Sequence, residues 1–98
     1  MRSVIVRYQT KPEAADENAR LVREVFASLA HEKPSGIRYT TFVLDDGVSF
    51  VHVATMDDAE RNPLSTLPAF AAFQKEIKAR CVEPPVVTEV KIVGSYAP

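Results

Sequence analysis

Hydrophobic and polar positions alternate along three parts of the chain and recur at helical spacing in two others. Over residues 3–10, Val4, Val6 and Tyr8 alternate with Ile5, Arg7 and Gln9, the period of a half-buried strand. Thr10, Pro12 and Glu13 then resemble a helix start, with Thr10 as cap and proline tolerated in the first turn. From Glu13 to about Glu32 the residues Ala15, Ala19, Val22, Val25, Phe26 and Leu29 fall on one stripe with charges opposite, so an amphipathic helix is expected there. Pro34 ends it, and Gly36 permits the turn into the next strand.

Residues 36–55 hold two β-rich runs around Asp46-Gly47, the pair that a type I′ hairpin turn favours because both central positions need positive φ. With those two residues as the loop, Val43 pairs with Phe50, Thr41 with His52 and Tyr39 with Ala54. Residues 56–66 are rich in Asp, Glu, Asn and Pro; a helical turn over 57–61 and a solvated connector are expected, with a lid as the alternative. Ser65 or Thr66 would cap a second long helix whose buried stripe is Leu67, Phe70, Phe73 or Gln74, Ile77 and Cys81. Pro84-Pro85 closes it, and a last strand is expected over 86–96.

The order βαββαβ, with right-handed crossovers, implies an α+β, ferredoxin-like antiparallel sheet carrying both helices on one face, as a single domain over 1–98. The helix side is expected to collect Val4, Val6, Tyr8, Phe42, Val51, Val53, Val90 and Ile92. Ile5, Arg7, Tyr39, Thr41, Val43, Phe50, His52, Val87, Glu89 and Val93 then lie on the helix-free side. That side is too apolar for a lone protomer, and a second copy packed sheet to sheet across a twofold would cover it.

With 98 residues, 46% hydrophobic and 26% charged, the composition is that of an ordinary globular domain and not of a disordered chain. A net charge of −1 gives no reason to expect nucleic acid or an anionic membrane as partner. The chain opens on a strand pattern instead of a signal peptide, no apolar run approaches a membrane span, and Cys81 has no partner for a disulfide. A cytoplasmic protein is expected.

The βαββαβ order, the strand Phe50-Val51-His52-Val53, the stretch from Asn62-Pro63-Leu64 through Phe70-Ala71-Ala72-Phe73, and the tail Val93-Gly94-Ser95-Tyr96 together resemble the dimeric α+β barrel superfamily. The likeness covers essentially the whole chain and is strongest to the antibiotic-biosynthesis-monooxygenase-like (ABM-like) domains. It implies a homodimer and a pocket for a small, often aromatic, metabolite. It also implies, as one activity, monooxygenation with no metal and no organic cofactor. A non-catalytic dimeric module that carries a ligand or answers stress is the alternative, because the superfamily hosts many functions. The haem-degrading branch needs an iron-ligating histidine on the second long helix and a tryptophan; here Phe73 or Gln74 stands in that region and no tryptophan exists.

His52 is the candidate base, since a neutral imidazole can take a proton to make the anion that reacts with dioxygen. Tyr39 and Arg7 would orient that anion, and Phe50, Phe70 and Phe73 would line the substrate site. Each has a plainer reading. His52 can be an interface histidine bonded to a carbonyl or to Glu89, Arg7, Glu89 and Lys91 can form cross-strand ion pairs, and the phenylalanines can be core. Two distant histidines and one cysteine form no metal signature, and Gly36, Gly47 and Gly94 form no phosphate-binding loop.

Overall fold

The computed structural model describes residues 1–98. Four strands, β1 (Arg2–Thr10), β2 (Ile37–Val43), β3 (Ser49–Met56) and β4 (Cys81–Val90), form one antiparallel sheet in the order β2-β3-β1-β4. Helix α1 (Ala15–Glu32) joins β1 to β2, and two short helices, α2 (Pro68–Gln74) and α3 (Ile77–Arg80), join β3 to β4. This is the ferredoxin-like α+β arrangement that the sequence predicts. No helix is long and apolar enough to cross a membrane.

The hairpin register is the expected one, with Val43 opposite Phe50, Thr41 opposite His52 and Tyr39 opposite Ala54. The turn itself differs. Only Gly47 in it takes positive φ, at +76°, so it is no type I′ turn. The Gly47 N–H bonds the Leu44 carbonyl at 2.9 Å, while the Asp46 carboxylate accepts from the Val48 and Ser49 amides and the Ser49 hydroxyl. A four-residue loop centred on the same point preserves the pairing.

The faces of the hairpin and of β4 are the reverse of the sequence expectation. Val4 lies opposite Ala54, Val6 opposite His52 and Val87, and Tyr8 opposite Phe50, and residues directly opposite in a sheet point the same way. Tyr39, Thr41, Phe50, His52 and Val87 therefore face the helices with Val4, Val6 and Tyr8. Phe42, Val51, Val53 and Val90 share the helix-free face with Ile5 and Arg7 instead. Ile92 and Val93 lie beyond the strand and are exposed.

The core forms between sheet and helices from Tyr8, Leu21, Val22, Val25, Phe50, Leu64, Leu67, Phe73 and Cys81. Asn18 also lies on the buried stripe of α1, three residues before Leu21 and four before Val22. Thr10 stays in β1, fully buried, and does not cap the helix; Lys11 stands there with no capping side chain. Residues 57–61 form no helix, and Ser65 and Thr66 sit inside a 3₁₀ turn (Pro63–Thr66) led by Asn62, whose side chain accepts from the Leu64 amide.

The second helix is interrupted. α2 stops at Gln74, Glu76 adopts a left-handed φ of 61°, and α3 covers one turn. Cys81 then begins β4 and does not end a helix. Pro84 and Pro85 fall within β4 next to its register shift against β1, a tolerated place because β4 is an edge strand.

Candidate active site

A cavity of ≈360 Å³ opens between the sheet and the α2–α3 segment, and eleven of the sixteen residues lining it are hydrophobic. Val6 and Val87 supply part of its floor from adjacent strands, Phe70, Phe73 and Ile77 part of its wall from the helices. Among these eleven, Tyr8, buried, and Tyr39, half-buried, bring hydroxyl tips beside the buried His52, while Asn62, Gln74 and Lys78 contribute from exposed positions. No carboxylate lines it.

His52 is 4% exposed and sits in the middle of β3, where neighbouring strands hold its ring. Its Nε2 lies 2.8 Å from the Tyr8 hydroxyl. Its Nδ1 lies 2.5 Å from the Tyr39 hydroxyl and 3.1 Å from that of Thr41. Thr41 stands directly across the β2–β3 ladder and Tyr8 two positions along β1 from the residue opposite His52, so the registers of the two ladders bring these groups together. Behind Tyr8, the Asn18 amide donates to its hydroxyl at 2.8 Å, and Arg80 Nε donates to Asn18 Oδ1 at 3.2 Å. No buried side-chain polar atom in the molecule lacks a partner.

Burial sets the proton affinities. Desolvation lowers the His52 pKa from 6.5 to about 4, so the imidazole is neutral at physiological pH. Burial raises the Tyr39 phenol to about 12, opposed by a hydrogen bond from Thr41. The Tyr8 phenol is raised further still, mainly by burial, with the Asn18 hydrogen bond pulling the other way. All three are uncharged, a requirement for stable burial without ion partners.

Aromatic contacts stiffen the site. Tyr8 stacks on Phe50 at 5.5 Å, Phe26 of α1 stacks on Tyr39 at 5.1 Å, and Phe73 tilts against His52 at 5.3 Å. Of the residues singled out in the sequence, His52, Tyr39, Phe70 and Phe73 line the cavity together. Phe50 lies beneath Tyr8 and supports the site without lining it.

Arg7 is not part of it. It stands opposite Val51 on the other face of the sheet and is exposed, because one residue of offset along a strand reverses the side. Glu89 pairs with Arg2 at 2.7 Å and not with Arg7 or His52. Cys81 is buried in the core, where desolvation raises its thiol pKa, an environment without nucleophilic character. No cluster of His, Cys, Asp or Glu is arranged to hold a metal ion. Sequence reasoning missed Tyr8 as a site residue, Asn18 and Arg80. The signal for Asn18 was present: a polar residue at a buried position of an apolar helical stripe.

No protein-family model matches the chain, and no curated protein does. Solved structures do. An antibiotic biosynthesis monooxygenase superposes with a TM-score of 0.77 at 25% identity, over 96% of this chain and 100% of that one. SnoaB of Streptomyces nogalater, a cofactor-independent oxygenase, gives 0.70 at 17% identity over 96% and 94%. A protein of unknown function from Nitrosomonas europaea, NE2512, gives 0.73 at 21% identity over 99% and 93%. The likeness runs over nearly the full length of both chains in each case and joins the topology already described: the chain has the ferredoxin-like α+β fold of these antibiotic-biosynthesis-monooxygenase-like structures.

Proposed function

We propose that the chain is a cytoplasmic homodimer that binds a small, largely apolar aromatic metabolite in this cavity and oxygenates it without metal or organic cofactor. The observation that carries the reading is the hydrogen-bonded pair of half-buried Tyr39 and buried His52 on the wall of a largely apolar cavity. Apolar pockets with a few convergent polar groups are what small-molecule sites look like. Likeness in fold to a cofactor-independent oxygenase supports the choice of chemistry.

Cofactor-free oxygenation needs an electron-rich enolate or phenolate, which reduces dioxygen itself. The net change is R2CH2 + O2 → R2C=O + H2O, with the substrate as its own reductant. Tyr39 would donate a hydrogen bond to the substrate's anionic oxygen. Lys78, an exposed cation on the cavity lining, has no salt-bridge partner and would favour the anion. His52, the base in the sequence reading, has too little proton affinity at about pKa 4 to retain the proton; it would hold and polarise Tyr39, and the proton would leave to solvent.

The homodimer reading rests on the helix-free face, where Phe42 is 53% and Val86 63% exposed beside Ile5, Val51 and Val53. The same low proton affinity of His52 favours a second reading, a dimeric ligand carrier with no turnover.

Oxygen uptake with anthrone-like and phenolic substrates separates the two. Monooxygenation is expected to fall by roughly a hundredfold in Tyr39→Phe and in His52→Ala with the dimer intact. Saturable binding with no oxygen uptake by the native protein would leave the carrier, and unchanged turnover in both variants would remove these residues from the mechanism. Product formation without oxygen would indicate isomerase-type proton transfer instead.

A further inference from the structure

The hydrogen-bonded row Arg80–Asn18–Tyr8–His52–Tyr39 has a direction. It starts where α2 ends: Arg80 donates to the carbonyls of Phe73 at 2.6 Å and Lys75 at 3.0 Å, freed because the helix stops there, and its guanidinium lies over the Phe73 ring at 5.7 Å. So held, it has only a donor to offer Asn18, which must present Oδ1 to Arg80 and its NH2 to Tyr8. The Tyr8 oxygen therefore accepts from Asn18, and its own proton goes to His52 Nε2. A neutral imidazole that accepts at Nε2 carries its proton on Nδ1, where it donates to Tyr39 and Thr41. Tyr39 then accepts from the ring, and its own proton is left for the cavity it lines.

We infer that Arg80, acting through Asn18 and Tyr8, fixes His52 as its Nδ1–H tautomer and so makes Tyr39 a hydrogen-bond donor toward the cavity, selecting ligands that present a carbonyl or anionic oxygen there. Arg80, Asn18 and Tyr8 are positioning residues. The selection rests on the proposed ligand cavity; the tautomer does not.

Asn18→Asp inverts the row with almost no change of shape. A carboxylate paired with Arg80 only accepts, so Tyr8 must donate to it and accept from His52 Nε2–H. Nδ1 then becomes the acceptor for the Tyr39 proton, which is withdrawn from the cavity. The test is nitrogen-15 spectroscopy of the two histidine rings near neutral pH, the exposed His31 serving as internal reference. It is joined to binding of acetylnaphthalene and its isopropenyl isostere, in which a CH2 group replaces the acceptor oxygen on the same planar carbon.

The native protein is expected to show the Nδ1–H tautomer and to prefer the ketone about tenfold. Asn18→Asp is expected to show Nε2–H and lose that preference. Nε2–H in the native protein, or an unchanged tautomer in Asn18→Asp, overturns the inference. If that variant does not fold, Tyr8→Phe decides: mixed tautomers support the row and a pure Nδ1–H form refutes it. A tautomer that inverts as expected, with neither naphthalene bound by the native protein, refutes the selection and the ligand-cavity reading alone.

Discussion

Both faces of the sheet carry apolar side chains, the helix side more of them, and the two faces bury them to different degrees. On the helix side, Tyr8, Phe50, His52 and Ala54 are at most 6% exposed, and their polar atoms are partnered in one connected row. On the other side, Phe42, Val51, Val53, Ile5 and Val86 make a surface with no such row, and Phe42 and Val86 remain more than half exposed. The difference shows that hydrophobic content alone does not identify the inside of a two-layer domain. Phe42 and Val86 look like core in the sequence and stay exposed on the protomer, whereas the face that builds the cavity carries aromatic rings with polar tips.

The comparison breaks most completely on the free face. Val53→Glu puts a charge on a central strand, twice in a twofold dimer, and is expected to weaken self-association roughly a thousandfold while the protomer stays folded. Sedimentation over a concentration series, with circular dichroism as the folding control, checks it. On the helix side, Phe73→Ala removes a 5%-exposed ring that packs on Tyr8, His52 and Phe70 and carries Arg80. A loss of about 3–5 kcal/mol is expected in denaturant unfolding.

A third test sharpens the electrical contrast. His52 has its pKa lowered from 6.5 to about 4, so its contribution to stability is fully present above 6.5 and is lost as pH falls toward 4. The unfolded chain takes up a proton over that window while the folded one does not. The loss is expected to total roughly 3 kcal/mol and to disappear in His52→Gln, seen as a flattened dependence of unfolding free energy on pH. The smallest effect belongs to the exposed Arg2–Glu89 pair on the rim: Arg2→Ala is expected to cost less than about 0.5 kcal/mol by the same measurement.

Much of this was legible in the sequence. The hairpin register followed from Asp46-Gly47 and the flanking β-branched runs, and it survived a different turn because a four-residue loop about the same centre gives the same pairing. The choice of face did not follow. Phe42, Val51 and Val53 look more like core than Tyr39, Thr41 and His52, and nothing local tells a strand which side its helices occupy. Tyr39, Thr41 and His52 share a face with Val4, Val6 and Tyr8, and the polar Asn18 on the buried stripe of α1 is the one feature in the sequence that points to that face. The second helix failed for another reason: Lys75-Glu76 looks helical by composition, and the left-handed turn at Glu76 has no glycine to announce it. Pro84-Pro85 looked like an end and is an edge strand.

One measurement addresses both faces at once: native mass spectrometry of protein purified without any ligand-stripping step. Twice the 10.9 kDa chain mass is expected, carrying an adduct of a few hundred daltons that acetylnaphthalene displaces. A bare monomer that binds no aromatic probe would contradict the assignment of one face to a ligand and the other to a second copy.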